Sequence, residues 1–267
     1  MSVSSPLISF EHVRKHFDGG GGAPPVLAVN DASLAIASGE FLAIVGASGS
    51  GKTTLLRLAN GLIAPDSGRI TVDGADIANL DPIALRRSIG TVFQSGGLFP
   101  HMSVADNIGI TPRLLGWPSA RIAARVDDLM ALVRLDPASY RDRLPNQLSG
   151  GQRQRVSVAR ALAAHPRIVL MDEPFGALDP LTRDALGENY RDLHRELGLT
   201  TLMITHDMAE AVLLADRIAV MREGRIIAQG TPAELARIDD ADVDALLQTP
   251  RRQAERLQTL LPRASAS

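Results

Sequence analysis

The spacing of hydrophobic and polar positions divides the chain into three regions. The first is rich in β-forming residues: Leu7–Val13 alternates in part, and Val26–Ile36 resumes an apolar pattern. Arg69–Val72 and Ala75–Ile77 flank the dipeptide Asp73-Gly74, which is typical of tight hairpin turns. These segments predict an N-terminal antiparallel β subdomain.

A different pattern begins at Phe41–Val45, a continuous apolar run typical of a strand buried on both faces. A glycine-rich turn follows, and then an apolar helix predicted over Thr53–Leu62. The last third repeats this alternation, with strands predicted at 168–171, 200–205, 217–221 and 225–229 and helices at 180–197 and 208–214. Asp179 is the predicted N-cap of the first of these helices, with Pro180 at its first position. Strands that alternate with helices indicate an α/β fold with a mainly parallel sheet.

The middle of the chain has helical spacing. Ser119 is expected to cap a helix whose apolar positions form one stripe, namely Ile122, Val126, Leu129 and Val133. A second helix is predicted over about Gly151–Ala164, because a proline follows it closely. These helices predict an α-helical subdomain at about 95–164.

The C-terminal segment Val243–Leu261 also has helical spacing, and we expect the helix to start at Thr249-Pro250. We therefore predict one main domain over residues 1–238, with the α-helical subdomain inserted in it, and a C-terminal helical tail over 239–267.

Composition and charge exclude several classes of protein. The 267 residues include 28 Lys+Arg and 30 Asp+Glu, and aromatic residues make up 3%. Nucleic-acid-binding proteins generally carry a basic excess and aromatic stacking surfaces, so we expect no nucleic-acid partner. The chain has no cysteine, which excludes disulfides and thiolate metal sites. No segment has the roughly 20 mostly apolar residues of a membrane span, so a membrane role requires a partner.

The turn after the buried strand fits the pattern G-x-x-x-x-G-K-[ST], as Gly46-Ala47-Ser48-Gly49-Ser50-Gly51-Lys52-Thr53. Glycines let such a loop curl until its N–H groups face phosphate oxygens, and the following helix adds its N-terminal partial positive charge. Lys52 can reach the β- and γ-phosphates, the Thr53 hydroxyl can ligate Mg²⁺, and Thr54 can donate to a more proximal phosphate. The alternative is an ordinary glycine-rich turn.

Two carboxylates, Asp172 and Glu173, follow the apolar strand Ile168–Met171. Ligands bind at the carboxyl ends of strands in open α/β sheets. Asp172 is therefore a candidate to hold Mg²⁺, and Glu173 a candidate to polarise an attacking water. Taken alone, the pair is equally compatible with a solvated acidic turn.

Leu148-Ser149-Gly150-Gly151-Gln152 opens the second predicted helix. One interpretation is a helix start capped by the Ser149 hydroxyl. The other is a second anion site, in which exposed N–H groups, the hydroxyl and the helix dipole face a γ-phosphate. The segment alone does not separate these two interpretations.

In their order along about Leu7–Glu234, these motifs resemble those of the nucleotide-binding subunit of ABC transporters. The resemblance implies an ATPase with a P-loop core, using ATP and Mg²⁺. It also implies a head-to-tail homodimer in which each ATP lies between Gly46–Thr54 of one chain and Ser149, Gly150, Gly151 and Gln152 of the other.

The resemblance implies roles for further residues. Phe17 is similar to the aromatic residue that stacks on adenine, with core packing as the alternative. Gln94 resembles the glutamine that links the Mg²⁺ and water site to the transmembrane partner. Ala177-Leu178-Asp179 resembles the loop that communicates across the dimer, next to the nucleotide. His206 resembles the switch histidine that contacts the γ-phosphate.

The stretch Phe93–Val104, with Asn107-Ile108 and Leu114–Trp117, is most similar to osmoprotectant importers, which move glycine betaine, choline, carnitine or proline betaine. The resemblance implies transmembrane permease subunits and, indirectly, a substrate-binding protein as partners, with this subunit peripheral on the cytoplasmic face of the inner membrane. The alternative is an importer of another solute, such as an amino acid. Several betaine subunits carry a paired ionic-strength-sensing module, and we do not expect that module within these 267 residues.

Overall fold

The computed structural model describes residues 6–19, 24–94 and 97–260, and its strands form two sheets. The strands are β1 Ile8–Phe17, β2 Val26–Ile36, β3 Phe41–Val45, β4 Ser67–Val72, β5 Ala75–Asp76, β6 Ile89–Val92, β7 Ile168–Asp172, β8 Thr200–Ile204, β9 Arg217–Arg222 and β10 Arg225–Gly230. The α-helices are α1 Lys52–Ala59, α2 Pro82–Ser88, α3 Val104–Leu114, α4 Ser119–Leu132, α5 Pro137–Tyr140, α6 Gly150–Leu162, α7 Pro180–Leu197, α8 Met208–Leu214, α9 Pro232–Leu235 and α10 Ala241–Leu260.

The first sheet is antiparallel, in the order β2-β1-β4-β5, as the N-terminal pattern predicts. The hairpin between β4 and β5 turns at Asp73-Gly74, where both residues have positive φ. β5 is shorter than predicted because the Asp76 side chain accepts a hydrogen bond from Ala78 N, which starts a 3₁₀ turn at Ile77.

The second sheet has the order β10-β9-β3-β8-β7-β6. Neighbouring strands from β9 to β6 are parallel, and β10 pairs antiparallel with β9 at the edge. All residues of β3, β7 and β8 are buried, as expected for strands covered on both faces. The α/β fold with a mainly parallel sheet is confirmed.

Two hydrophobic cores cover the two faces of this sheet. One core joins α1 to the antiparallel sheet and contains Phe10, Leu42 and Ile44. The other contains Phe41 and Val45 and packs the opposite face against α3, α4, α6, α7 and α8. Successive residues of β3 thus alternate between the cores, so the end of β3 is fixed from both sides.

The helical middle of the chain differs from prediction at one cap. The N-cap of α4 is Pro118, and Ser119 is its first helical residue with no side-chain capping bond. Pro118 has extended backbone angles, and its carbonyl accepts from Ile122 N, so the helix starts one residue earlier than a Ser119 cap allows. The predicted apolar stripe is buried.

Two further helix boundaries differ from prediction. α1 ends at Ala59 and not at Leu62, because Asn60 caps it and Gly61 turns left-handed at φ 63°. The tail helix α10 starts at Ala241 and passes through Pro250, so the predicted start at Thr249-Pro250 is wrong. Asp240 Oδ1 accepts from the backbone N–H groups of the first turn of α10, and the Thr249 hydroxyl donates to Ala245 O, one turn back.

The helices at 180–197 and 208–214 agree with prediction, including Asp179 as the N-cap of α7. Residue Leu261 of the predicted tail, and most of the glycine run 19–22, lie outside the described residues. Within the described ranges, no helix combines the length and apolar character that crossing a bilayer demands.

Candidate functional site

The loop between β3 and α1 can curl against its neighbours because two of its glycines carry no side chain. A Cβ on Gly46 would lie 2.1 Å from Met221 O, and one on Gly51 would lie 2.1 Å from Ala28 O. Both glycines have positive φ, 154° and 102°. The loop therefore packs tightly against β9 and β2. The first residues of α1 follow it directly.

Lys52 lies inside this curl. Its Nζ donates to Gly46 O and Ala47 O at 2.8 Å each and to Ser50 Oγ at 3.3 Å, and the residue is 7% exposed. Burial lowers the pKa of Lys52, and the charges of Glu173 and Asp172 oppose that shift. A buried ammonium at the first residue of α1 suits a polyanionic ligand, because the N-terminus of a helix carries a partial positive charge.

Thr53 and Asp172 meet beneath the loop. Thr53 Oγ1 donates to Asp172 Oδ1 at 3.2 Å, although the two residues are 119 positions apart in sequence. Burial raises the pKa of Asp172, opposed first by the hydrogen bond from Thr53. Hydroxyl and carboxylate oxygens are hard ligands that fit Mg²⁺, which commonly takes its remaining ligands from water and phosphate. The described residues include no group of three or more His, Cys, Asp or Glu side chains able to hold a metal.

The structure brings three predicted catalytic residues together around one carboxylate. Gln94 Nε2 donates to Glu173 Oε2 at 3.0 Å, and His206 Nδ1 lies 3.1 Å from Glu173 Oε1. Glu173 follows β7 directly and has a left-handed φ of 47°, with its N–H bonded to Ile204 O at 2.8 Å. Gln94 follows β6 and His206 follows β8, so three neighbouring strand ends supply the cluster.

The segment Ser149–Gln152 forms a reciprocal capping box at the start of α6. Ser149 Oγ accepts from Gln152 N at 3.2 Å, and Gln152 Oε1 accepts from Ser149 N at 2.9 Å. Gln152 Nε2 donates to Tyr140 OH at 3.1 Å. Among the described residues, no hydrogen bond or ion pair joins this segment to the loop 46–52 of the same chain. The capped helix start is therefore present.

Asp179 follows the predicted catalytic residue Glu173 along the chain and ends the short segment between β7 and α7. Its side chain accepts from Thr182 N at 3.0 Å as the N-cap of α7, and the hydrogen bonds from Thr182 hold the pKa of Asp179 below its ordinary value. The preceding Leu178 packs beside the start of α6, since a Cβ on Gly151 would lie 3.1 Å from Leu178 Cδ2. The segment 177–179 thus connects the start of α6 to α7.

Phe17 ends β1 and is 40% exposed, so it is not a core residue. Lys15 Nζ lies 5.8 Å from the centroid of its ring. An exposed ring of this kind is available for stacking on a planar ligand.

One ion pair beside the catalytic cluster was not predicted from the sequence. Arg183 Nη1 lies 3.4 Å from Asp207 Oδ2, next to His206. Asp207 could have been suggested from the sequence, because it directly follows the predicted site residue His206. Arg183 could not, because it comes close to Asp207 only through the packing of α7 against α8.

The buried strand, the curled loop with its enclosed lysine, and the strand-end carboxylates define a P-loop nucleoside triphosphatase fold. Similarity to known proteins identifies the family within this class of nucleoside triphosphatases. The family model described as "ABC transporter" matches residues 29–176. The chain belongs to the ABC transporter family.

Two curated relatives are identical to this chain at half of the aligned positions. The glycine betaine/carnitine/choline transport ATP-binding protein OpuCA of Bacillus subtilis is 50% identical over 86% of this chain. The glycine betaine uptake system ATP-binding protein YehX of Escherichia coli is 50% identical over 85% of it. The chain spans 59% of the OpuCA length and 71% of the YehX length.

The similarity extends to solved structures. A dimeric, post-hydrolysis state of the ATP-binding cassette MJ0796, bound to ADP and phosphate, superposes with a TM-score of 0.79 at 31% identity. The superposition covers 84% of this chain and 98% of the MJ0796 chain.

The packing of the loop generates a prediction about nucleotide affinity. Gly46→Ala should weaken binding of a fluorescent ATP analogue about tenfold or more, because the new Cβ meets the Met221 carbonyl and displaces the loop. Gly39→Ala is the matched control: Gly39 has φ 79°, but no atom lies within 4 Å of a Cβ there. The control should cost about 1 kcal/mol of stability and leave affinity unchanged. Equal affinity of the Gly46→Ala variant and the parent would contradict the loop's role.

Proposed function

We propose that this chain is the ATP-hydrolysing subunit of an ABC importer for quaternary-amine osmoprotectants such as glycine betaine or choline. The observation that carries the ATPase part is the Glu173 carboxylate, held by Gln94 and His206 beside the loop that encloses Lys52. A P-loop protein that only senses nucleotide has no need of such a carboxylate.

ATP binding uses the loop 46–51 and the start of α1. The loop N–H groups and Lys52 neutralise the β- and γ-phosphates, and Thr54 donates to a more proximal phosphate. Phe17 stacks on the adenine ring, which its 40% exposure allows. Thr53, Asp172 and Gln94 hold Mg²⁺, which when bound neutralises phosphate charge.

Hydrolysis is an in-line attack of water on the γ-phosphoryl group, which depends on positioning and charge neutralisation. Glu173 accepts a proton from the water as that water attacks. Gln94 donates to one oxygen of this carboxylate and His206 lies against the other, so both contacts restrain its rotation. His206 also contacts the γ-phosphate.

The second wall of each site comes from another copy of the chain in a head-to-tail homodimer. Two observations support this: the start of α6 has no hydrogen bond to the loop of its own chain among the described residues, and the similar MJ0796 cassette is dimeric. Ser149, Gly150, Gly151 and Gln152 then present their N–H groups and the helix dipole to the γ-phosphate across the interface. Asp179 of the segment 177–179 completes the contacts near the nucleotide.

The remaining partners are transmembrane permease subunits and, through them, a substrate-binding protein. This subunit sits on the cytoplasmic face of the inner membrane and is held there by the permease. A net charge of −2 supports the absence of a nucleic-acid partner.

The solute class rests on relatives named for osmoprotectant, glycine betaine, choline and carnitine transport, at 45–50% identity. A second candidate is an importer of another solute, because sulfate/thiosulfate import subunits of Agrobacterium fabrum and Chromobacterium violaceum match at 47% and 51%. Identity at this level does not separate the solutes, since the ATPase subunit does not contact them.

The expected effect of Glu173→Gln is a fall in phosphate release of about 10²–10⁴-fold, because the amide cannot accept the proton. ATP affinity should stay within about twofold of the parent, since the loop is intact. Size-exclusion chromatography with Mg-ATP should show dimers accumulating. The matched control is Glu188→Gln, on the exposed side of α7, which should behave as the parent. An active Glu173→Gln variant would remove the assigned role.

Uptake into proteoliposomes identifies the solute. The complex of this chain with the membrane subunits that co-purify with it should take up radiolabelled glycine betaine or choline when ATP is enclosed, and should not take up sulfate. ATP-dependent uptake of sulfate alone would replace the osmoprotectant assignment with the second candidate and leave the ATPase assignment intact.

A further inference from the structure

Arg183 lies in the first turns of α7, between two segments that the proposed function uses. Its Nη1 donates to Asp207 Oδ2 and its Nη2 donates to Leu178 O, both at 3.4 Å. The side chain is 32% exposed, and its Nε is buried without a hydrogen-bond partner. The planar guanidinium therefore bridges the segment 177–179 to the residue after His206.

On one side of the bridge, Asp207 fixes the backbone around His206. Its Oδ1 accepts from Ala209 N at 2.9 Å and Glu210 N at 3.2 Å, which caps α8, while Oδ2 faces Arg183. Asp207 N donates to Thr205 Oγ1 at 3.0 Å, on the other side of His206. A shift of the Asp207 carboxylate therefore moves the backbone that carries the His206 imidazole.

Asp207 has further charged neighbours beside Arg183. Glu210 lies in the first turn of α8, and burial raises its pKa, opposed first by a hydrogen bond with Thr205. Arg183 is the cation paired with Asp207 among the described residues, at 3.4 Å. The pair is half buried, so loss of one member leaves the other charge poorly compensated.

On the other side of the bridge, the Leu178 carbonyl belongs to the segment that touches the start of α6 through the Leu178 side chain. In the proposed dimer this segment lies at the interface between copies. A cavity of about 540 Å³ between α7 and α8 borders Arg183, Asp207 and Pro180. The cavity leaves the guanidinium room to follow a movement of the segment.

We propose that Arg183 is a positioning residue that couples the segment Ala177–Asp179 to the placement of His206 against Glu173. Closure of the dimer sets the position of the Leu178 carbonyl, Arg183 transmits that position to Asp207, and Asp207 places His206. This inference rests on the proposed ATPase function and adds to it a residue that acts through Asp207 and His206.

Steady-state ATP hydrolysis by the full chain tests the coupling. Arg183→Met should lower kcat about tenfold or more, with KM for ATP within about twofold of the parent, because only the placement of His206 changes. Asp207→Asn should have a similar effect, since Asn remains a good N-cap and loses only the charge. Arg183→Lys should rescue little, because an ammonium cannot hold both oxygens in one plane. Arg195→Met, an exposed arginine further along α7, is the matched control and should equal the parent.

The double variant Arg183→Met with Asp207→Asn separates coupling from general destabilisation. If the two residues act as one unit, the double variant should lose no more activity than either single variant. Losses that multiply, a KM that rises in step with the fall in kcat, or full activity of Arg183→Met would each overturn the proposal. A parent chain that releases no phosphate in Mg-ATP would instead overturn the proposed function itself.

Discussion

The curl of the loop after β3 is the constraint on which the rest of the site depends. Two backbone carbonyls, Met221 O and Ala28 O, come so close to Gly46 and Gly51 that no side chain fits. This contact fixes where α1 begins, and therefore where Lys52 and Thr53 stand. The carbonyls themselves come from β9 and β2, so the loop is shaped by both sheets and not by its glycines alone.

The loop also determines the electrostatics of the site. Burial lowers the pKa of Lys52 and raises that of Asp172, while the opposite charges of the two groups act against both shifts. A phosphate chain and a divalent cation would offset this desolvation. Glu173, one residue further, shares this environment and is oriented by Gln94 and His206.

Local patterns predicted the elements that carry the chemistry, because their signals lie within a few residues. The continuous apolar run of β3, the Asp179 cap of α7 and the limits of α8 all agree with the structure. At Ser119 the helix begins from the Pro118 carbonyl, and at Pro250 a helix capped by Asp240 continues through the proline; hydrophobic spacing shows neither. Asp207 follows the predicted site residue His206, but its pairing with Arg183 depends on the packing of two helices, so no sequence pattern indicates Arg183.

We propose that one copy of the chain holds the nucleotide and that a second copy completes the site. A mixture of two inactive variants, Lys52→Ala and Ser149→Arg, tests this arrangement. In a mixed dimer one of the two sites keeps both Lys52 and the Ser149 of the other copy. Because about half of the dimers in an equal mixture are mixed, phosphate release should return to as much as about a quarter of the parent rate. A mixture that stays as inactive as its components, while the mixed dimer is shown to form, would contradict the account.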